Sequence, residues 1–580
     1  MANSSPNEEL ITSSLQRSAI DPLETILSST RLAVLHRMLG QFVRVPRSTP
    51  LTLVRQYSRR PAIAYSHSTS ATSISDSLHV NVPSVSIMED SPSIFSKFQT
   101  AWSSFWSAPS ATQTKKLAQL KSAEQSLLAL APQFDLNTTT ISEQPTIQVT
   151  DTLIPKSVVP IQHHSFDIYD KHPDHYVLHG IHVQSSSTTT PAPIQTPLVL
   201  LHGYMNGGVY FYRNFHTLSR YFQNVHALDL LGWGASSRPP FPSIQTNDHN
   251  NNHINTPEEQ ALQSIRNAED FFVESLEAWR KQQKLDKMIL AGHSMGGYLS
   301  VAYCERYPQH VERLILISPV GVPSEPTDPQ EIMGGRYVER QQTLLGQFYL
   351  HVFQNSSIGQ VLRLLPASAS LDRVRLYVGR RLYFDNPTEQ AFLGDYLYHS
   401  NTLPGSGEYC LPHFLHPSVF AKDPLVHRIP KLLDSTKSLK SVAFLYGQQD
   451  WMDVTGGLQV QDTIMNQKNK NSNTSYDKKN DDAAVSVYSI SRAGHLLMLD
   501  NPAEFSNAMV LSAGGSLEDS NNEKGQQRQQ EQGSNYSTNN EDPRPIRIHS
   551  VNDIPTRGQD WNADPRTRVG AKGRTDKDSQ

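Results

Sequence analysis

The segment Met288-Ile289-Leu290-Ala291-Gly292-His293-Ser294-Met295-Gly296-Gly297 constrains this chain more than any other. An apolar run enters G-x-S-x-G, and a helix-like stretch, Tyr298–Tyr307, leaves it. That is the strand–turn–helix context of a nucleophile elbow. A turn this sharp requires small residues two before and two after the serine, here Gly292 and Gly296. The Ser294 hydroxyl then stands clear at the tip of a sheet, over a helix N-terminus.

Such an elbow needs a mostly parallel sheet around it. Short apolar runs bounded by turn residues supply the strands: Tyr176–Val183, Leu198–Leu201, Val225–Leu228, Lys287–Ala291, Leu314–Ile317, Ser441–Tyr446 and Val485–Ile490. Helical stretches separate them, as parallel pairing demands. The globular domain is expected over 157–513. Two polar insertions, Gln245–Asn255 and Asn466–Asp482, read as exposed loops.

The other chemical groups follow from chain order. Leu198-Val199-Leu200-Leu201-His202-Gly203-Tyr204-Met205 reads as a strand ending in an oxyanion loop, with Asn206-Gly207-Gly208 allowing close approach. The backbone N–H groups of Tyr204 and Met295 are the candidate oxyanion donors. The base belongs after the last strand, where Ser491-Arg492-Ala493-Gly494-His495 places His495. The acid belongs after Ser441–Tyr446, in Gly447-Gln448-Gln449-Asp450-Trp451-Met452-Asp453. Asp450 has the commoner spacing and Asp453 is close enough to substitute. A carboxylate there holds the imidazole tautomer and stabilises the imidazolium. No metal or cofactor is called for by this chemistry.

Outside the domain the composition changes. Hydrophobic residues make up 37% of the 580, below the ~45–50% of globular averages, so one core is diluted by polar sequence. The formal net charge of −4 gives no nucleic-acid footprint. Two cysteines, Cys304 and Cys410, build no disulfide framework. No apolar run reaches the ~18 residues of a membrane span. Residues 1–85 carry Arg31, Arg37, Arg44, Arg47, Arg55, Arg59 and Arg60 with no acidic residue between Glu24 and Asp76. This is the pattern of a mitochondrial presequence, drawn across an inside-negative membrane. Glu8, Glu9, Asp21 and Glu24 precede the basic stretch and depart from it. Residues 90–131 are expected to form amphipathic helices, with Phe95, Phe98, Trp102 and Trp106 as a membrane-interface anchor. Residues 514–580, rich in Gln, Asn, Asp and Arg, read as a disordered tail.

With these residues in place, the chain resembles the α/β-hydrolase family of lipid enzymes. That group includes mammalian lipid-droplet hydrolase-domain proteins, a plant phospholipase/acyltransferase and fungal mitochondrial cardiolipin deacylases. The carriers are Leu-Leu-His-Gly (200–203), Asp-Leu-Leu-Gly-Trp-Gly (229–234), Gly-His-Ser-Met-Gly (292–296), Tyr-Leu-Tyr-His-Ser-Asn-Thr-Leu-Pro-Gly-Ser-Gly-Glu (396–408), Asp-Trp-Met-Asp (450–453) and His-Leu-Leu-Met-Leu-Asp (495–500). The piece 396–408 is the most family-specific. The resemblance implies an α/β class: the α/β-hydrolase fold, a mostly parallel central sheet with a helical cap, about 324–429, inserted after the sixth strand.

The cap also contains Arg363, Arg373, Arg375, Arg380 and Arg381, of which the last four are candidate phosphate-headgroup ligands. The pattern His495…Asp500 matches the H-x-x-x-x-D associated with glycerolipid acyltransferases. The fungal mitochondrial branch looks closest, and it implies a serine phospholipase that removes an acyl chain from cardiolipin, peripherally bound to the mitochondrial inner membrane. Alternatives are a lysophosphatidic acid acyltransferase or a non-enzymatic lipid-surface scaffold, on a lipid droplet or in the cytoplasm.

Overall fold

The computed structural model describes residues 110–134, 144–328, 343–471, 484–517 and 544–554, apart from short stretches at 160, 162–166, 170–171, 187–191, 243–255, 383 and 385. The basic leader, the aromatic residues Phe95, Phe98, Trp102 and Trp106, and most of the polar tail lie outside the described residues.

Nine strands form one sheet in the order β1-β2-β4-β3-β5-β6-β7-β8-β9. They are β1 Thr146–Pro155, β2 His175–Gln184, β3 Leu198–Leu201, β4 Asn224–Leu228, β5 Met288–His293, β6 Val311–Ile317, β7 Ser441–Gly447, β8 Val485–Ile490 and β9 Ile546–Ile548. From β4 through β8 every neighbouring pair is parallel. β1, β2 and β9 pair antiparallel at the two edges. Strands β3, β5, β7 and β8 are buried along their whole length. Continuous apolar runs are what a sheet covered on both faces requires.

Alternate residues divide the core. Val199, Leu201, Leu290, Leu314, Leu316, Val442 and Phe444 face one layer. It holds residues of helices α3 Pro257–Gln282, α4 Met295–Arg306, α10 Leu425–Ser435 and α11 Thr455–Asn471. Leu198, Leu200, Ile289, Ala291, Ile315, Ile317 and Leu445 face the other. There they join α1 Ser110–Leu128, α2 Phe215–Tyr221 and α13 Pro502–Ser512. A period of two along each strand produces this division.

Register then sets the site. Leu201 pairs with Gly292, Gly292 with Leu316, Ile317 with Leu445, and Gly447 with Ile490. The C-terminal ends of β3, β5, β6, β7 and β8 therefore open on one sheet edge, where open α/β sheets bind ligands.

The insertion after β6 is helical: α5 Leu344–Asn355, α6 Ile358–Leu364, α7 Ala367–Arg381, α8 Pro387–Thr402 and the short α9 Leu411–Phe414. Thr343, Ser357 and Asn386 accept backbone N–H bonds as side-chain caps of α5, α6 and α8. The last helix of the interval, α10, belongs to the sheet layer. Its Arg428 lies 2.8 Å from Glu269 and 3.0 Å from the Tyr298 hydroxyl. The cap thus ends ahead of residue 425, not at 429.

Three other boundaries move. β1 extends the domain to before residue 157. Its alternating polar residues are those of a half-exposed edge strand. β9 lies inside the stretch expected to be wholly disordered, and its three residues complete an edge against β8. α11 runs to Asn471, into the insertion expected as loop from 466.

Helix α1 is docked on the domain. Leu120 and Leu127 are fully buried with Leu393, Tyr396 and Leu397 of α8. Glu124 reaches the buried His179 of β2 at 3.0 Å, and Asp151 of β1 meets the other ring nitrogen. Burial disfavours the charged imidazole, yet these carboxylates push its pKa up to about 10. Among the described residues, no helix is long and apolar enough to cross a membrane.

A raised folded-state pKa stabilises the fold fully below the free imidazole value of about 6.5 and ceases to do so as pH climbs through about 10. The melting temperature of wild-type protein should therefore fall between pH 7 and pH 10 relative to His179→Gln, measured by calorimetry. Parallel curves for the two proteins would contradict the buried charged lock.

Candidate active site

Ser294 sits between β5 and α4 with φ 53 and ψ −113. Non-glycine residues rarely adopt this left-handed backbone, and it costs of order 1–3 kcal/mol. The turn is held by Ser294 N–H on the Ile317 carbonyl, 2.9 Å, and by Gly297 and Val320 N–H groups on the Ser294 carbonyl, 3.0 and 3.3 Å. A Cβ on Gly292 would fall 2.2 Å from the Gly296 carbonyl oxygen, and one on Gly296 would fall 2.6 Å from that of His202. Both glycines are fixed by backbone crowding, as the sequence suggests.

His495 follows β8 in the loop Ser491–His495. Its Nδ1 lies 3.0 Å from Asp450 Oδ1. Its carbonyl accepts from Nε2–H of His293, the residue before Ser294, at 2.8 Å. The Trp451 ring lies 5.0 Å from the imidazole. Asp450 also accepts from the Met452 N–H at 3.0 Å and from the Ser318 hydroxyl. Burial favours a neutral carboxyl, but the imidazole and these donors hold Asp450 below the usual carboxylate range. Asp453 does something else: its Oδ1 accepts the Thr455 N–H at 2.9 Å, at the start of α11.

The loop after β3 carries Tyr204, whose ring meets Trp233 edge-on at 4.9 Å. Met295 opens α4 and is buried against Cys410, Sγ to Sδ 3.4 Å. Three polar residues that sequence reasoning passed over hold this loop. His202 Nε2 accepts the Leu230 N–H at 3.0 Å, and Nδ1 faces the Gly203 carbonyl at 2.7 Å. Burial lowers its pKa to about 4, so it stays neutral with the proton on Nδ1. Asp229 accepts the N–H groups of Gly208 and Ala235 at 2.7 and 2.8 Å. Asn401 of α8 donates to the Met205 carbonyl at 3.0 Å.

Asn401 belongs to the cap piece 396–408, which clamps the loop at further points. The Tyr204 hydroxyl donates to the Glu408 carbonyl at 2.9 Å. The buried Arg238 donates to the carbonyls of Ser400 and Pro404 at 2.9 and 3.0 Å. A Cβ on Gly207 would fall 1.8 Å from the Tyr396 hydroxyl, so only glycine fits there. A polar residue at the end of a buried apolar run, as His202 is after β3 and Ser318 after β6, was the available signal.

The arginines do not form one cluster. Arg363 pairs with the buried Glu408. Arg375 pairs with Asp395 of α8, 2.7 Å. Arg373 is half-buried and Arg380 exposed on α7. Arg381 is the one beside the His495 loop: its guanidinium lies 3.7 Å from where a Gly494 Cβ would stand. Asp500 Oδ2 accepts the Gly494 N–H at 2.9 Å.

The sequence pattern of the family described as alpha/beta hydrolase fold matches residues 196–502. The chain is 32% identical to a probable 1-acylglycerol-3-phosphate O-acyltransferase of Oryza sativa subsp. japonica, over 54% of this chain and 66% of that protein, just under two thirds of its length. It is 33% identical to the (lyso)-N-acylphosphatidylethanolamine lipase of Mus musculus, over 47% of this chain and 71% of that one. It is 30% identical to the 1-acylglycerol-3-phosphate O-acyltransferase ICT1 of Saccharomyces cerevisiae, over 54% and 81%.

Replacing Asn401 by Ala leaves the Met205 carbonyl without its side-chain donor, at a cost of about 1–3 kcal/mol. Amide hydrogen exchange across 203–208 should quicken in that variant. Unchanged exchange would show that the cap does not hold the loop.

Proposed function

Because the chain belongs to the α/β-hydrolase family, we propose that it is a serine-dependent enzyme of lipid acyl esters. The observation that carries this reading is the His495 Nδ1 contact to Asp450, with the His495 carbonyl bonded to His293, the neighbour of a serine on a strained turn. With Nδ1 facing Asp450, Nε2 of His495 remains to take the Ser294 proton. Ser294 Oγ then attacks the ester carbonyl. The N–H groups of Tyr204 and Met295 receive the developing oxyanion. His495 protonates the departing alcohol, and an acyl-enzyme is left on Ser294. Water, deprotonated by His495, releases the fatty acid. A lysophospholipid hydroxyl in place of water makes the same acyl-enzyme a transacylase. Asp450 stays ionised throughout and stabilises the imidazolium. Asp453, engaged with α11, has no part.

The substrate proposed is an anionic phospholipid, cardiolipin in a mitochondrial membrane. The support is the Arg-rich, acid-poor leader and the position of Arg381 at the His495 loop. The enzyme would act as a phospholipase A, bound peripherally, with Phe95, Phe98, Trp102 and Trp106 as anchor. The second reading, acyl transfer to 1-acylglycerol-3-phosphate, is favoured by the names that the rice and yeast relatives carry.

Purified full-length protein should convert cardiolipin to its monolyso form in vesicles of mixed mitochondrial phospholipids, read by lipidomics. Ser294→Ala should release no fatty acid. Equal attack on phosphatidylcholine would remove the anionic preference, and activity in Ser294→Ala would remove the serine. Asp450→Asn should lower kcat by about 10⁴-fold, as loss of the tautomer-fixing carboxylate does. Asp453→Asn should stay near the wild-type rate. The reverse ranking would reassign the acid.

A further inference from the structure

The acid of the H-x-x-x-x-D pattern has no role in the mechanism above. Its surroundings assign it one. The peptide unit joining Ala493 to Gly494 is fixed at both of its polar ends. Its carbonyl accepts the Gln449 N–H at 2.9 Å, and its N–H donates to Asp500 Oδ2 at 2.9 Å. The carbonyl of His495 itself accepts from His293 at 2.8 Å. Gln449 is the neighbour of Asp450 and His293 the neighbour of Ser294. The His495 backbone is therefore tied to the residues adjoining the other two members of the triad, and Asp500 supplies the remaining tie.

Asp500 is itself well placed to do this. It closes the short helix α12, Leu497–Asp500, its N–H bonded to the Leu496 carbonyl at 2.9 Å. The Leu499 carbonyl before it accepts from the Arg213 guanidinium. Asn501 after it caps α13 through the Glu504 N–H. The carboxylate is thus held from both sides of the chain and aimed at main chain. The imidazole Nδ1 goes to Asp450, not to Asp500.

We propose that Asp500 is a positioning residue: its carboxylate fixes the Gly494 N–H and so the direction in which His495 leaves the loop, and it neither gives nor takes a proton in acyl transfer. Its duty is the same whether the acyl-enzyme meets water or a lysophospholipid. The charged groups acting on it are Arg381 from α7, Arg213 from the turn ahead of α2, and Asp450 from the loop after β7. Burial, set against the Gly494 N–H and the two arginines, leaves its pKa raised to about 6, so its protonation state changes near neutrality while its acceptor role persists.

This rests on the serine reading, and the experiment separates the two. Full-length wild type, Asp500→Ala and Asp500→Asn are compared in three assays: labelling of Ser294 by a fluorophosphonate, hydrolysis of p-nitrophenyl butyrate, and acyl transfer from cardiolipin to lysophosphatidic acid. Asp500→Ala should slow labelling, hydrolysis and transfer by one common factor, of the order of 10²-fold for a misplaced base, with KM unchanged. Asp500→Asn should recover most of the loss, because its amide oxygen accepts the same N–H. Transfer abolished with labelling and hydrolysis intact would overturn the proposal in favour of a direct role for Asp500. So would an Asn variant as slow as Ala, or an Ala variant as fast as wild type. A folded wild type that the probe never labels overturns the serine reading instead, and the positioning role with it.

Discussion

The whole site depends on one backbone constraint, the left-handed turn at Ser294. A free chain would relax it. Here it is wedged between β5 and α4, with Ser294 N–H committed to β6 and its carbonyl receiving N–H groups from α4 and from the segment after β6. The strain of ~1–3 kcal/mol is small against the burial of two core layers around β5, and persists because the surroundings over-determine it. What the turn secures is direction. The hydroxyl and the Met295 N–H both come to the sheet edge where β3, β7 and β8 deliver their loops.

Around that fixed point the remaining groups are positioned by backbone contacts more than by side-chain pairs. His202 ties the loop after β3 to the loop after β4, and His293 ties the elbow to the His495 loop. Both imidazoles are buried, with pKa values lowered to about 4 and about 3, so they act as neutral hydrogen-bonding groups at neutral pH. For His293, burial dominates and the neighbouring His495 adds to it. The cap contributes in the same way. Asn401, Glu408 and the carbonyls of Ser400 and Pro404 bind the oxyanion loop and Arg238. On the proposed mechanism this is the loop that receives the oxyanion, so the cap is part of its support.

How much of this a sequence discloses follows from range. The interior strands were legible because a parallel sheet demands uninterrupted apolar runs, and the elbow because its glycines are adjacent in the chain. β1 escaped because its exposed edge alternates polar and apolar residues, and β9 because three residues give no period. The choice between Asp450 and Asp453 stayed open because both sit in one loop. What separates them is that one is buried under Ser318 and the other faces the start of α11. Ser318 was invisible because its partner lies 132 residues away. The arginine cluster looked uniform in one dimension, whereas helical spacing turns Arg375 toward Asp395 and Arg381 toward the His495 loop. Asp500 carried a motif but no role until Gly494 was seen folded back onto it.

The central claim is that every acyl group this protein handles passes through a single covalent ester on Ser294. Acid-quenching the enzyme within milliseconds of mixing with a radiolabelled acyl phospholipid, then mapping the peptides by mass spectrometry, tests it directly. The account predicts label on the peptide containing Ser294, forming before free fatty acid or acylated lysophospholipid accumulates and decaying at the rate at which those products appear. Product formed at full rate with no label on that peptide, or label on another side chain, would contradict it.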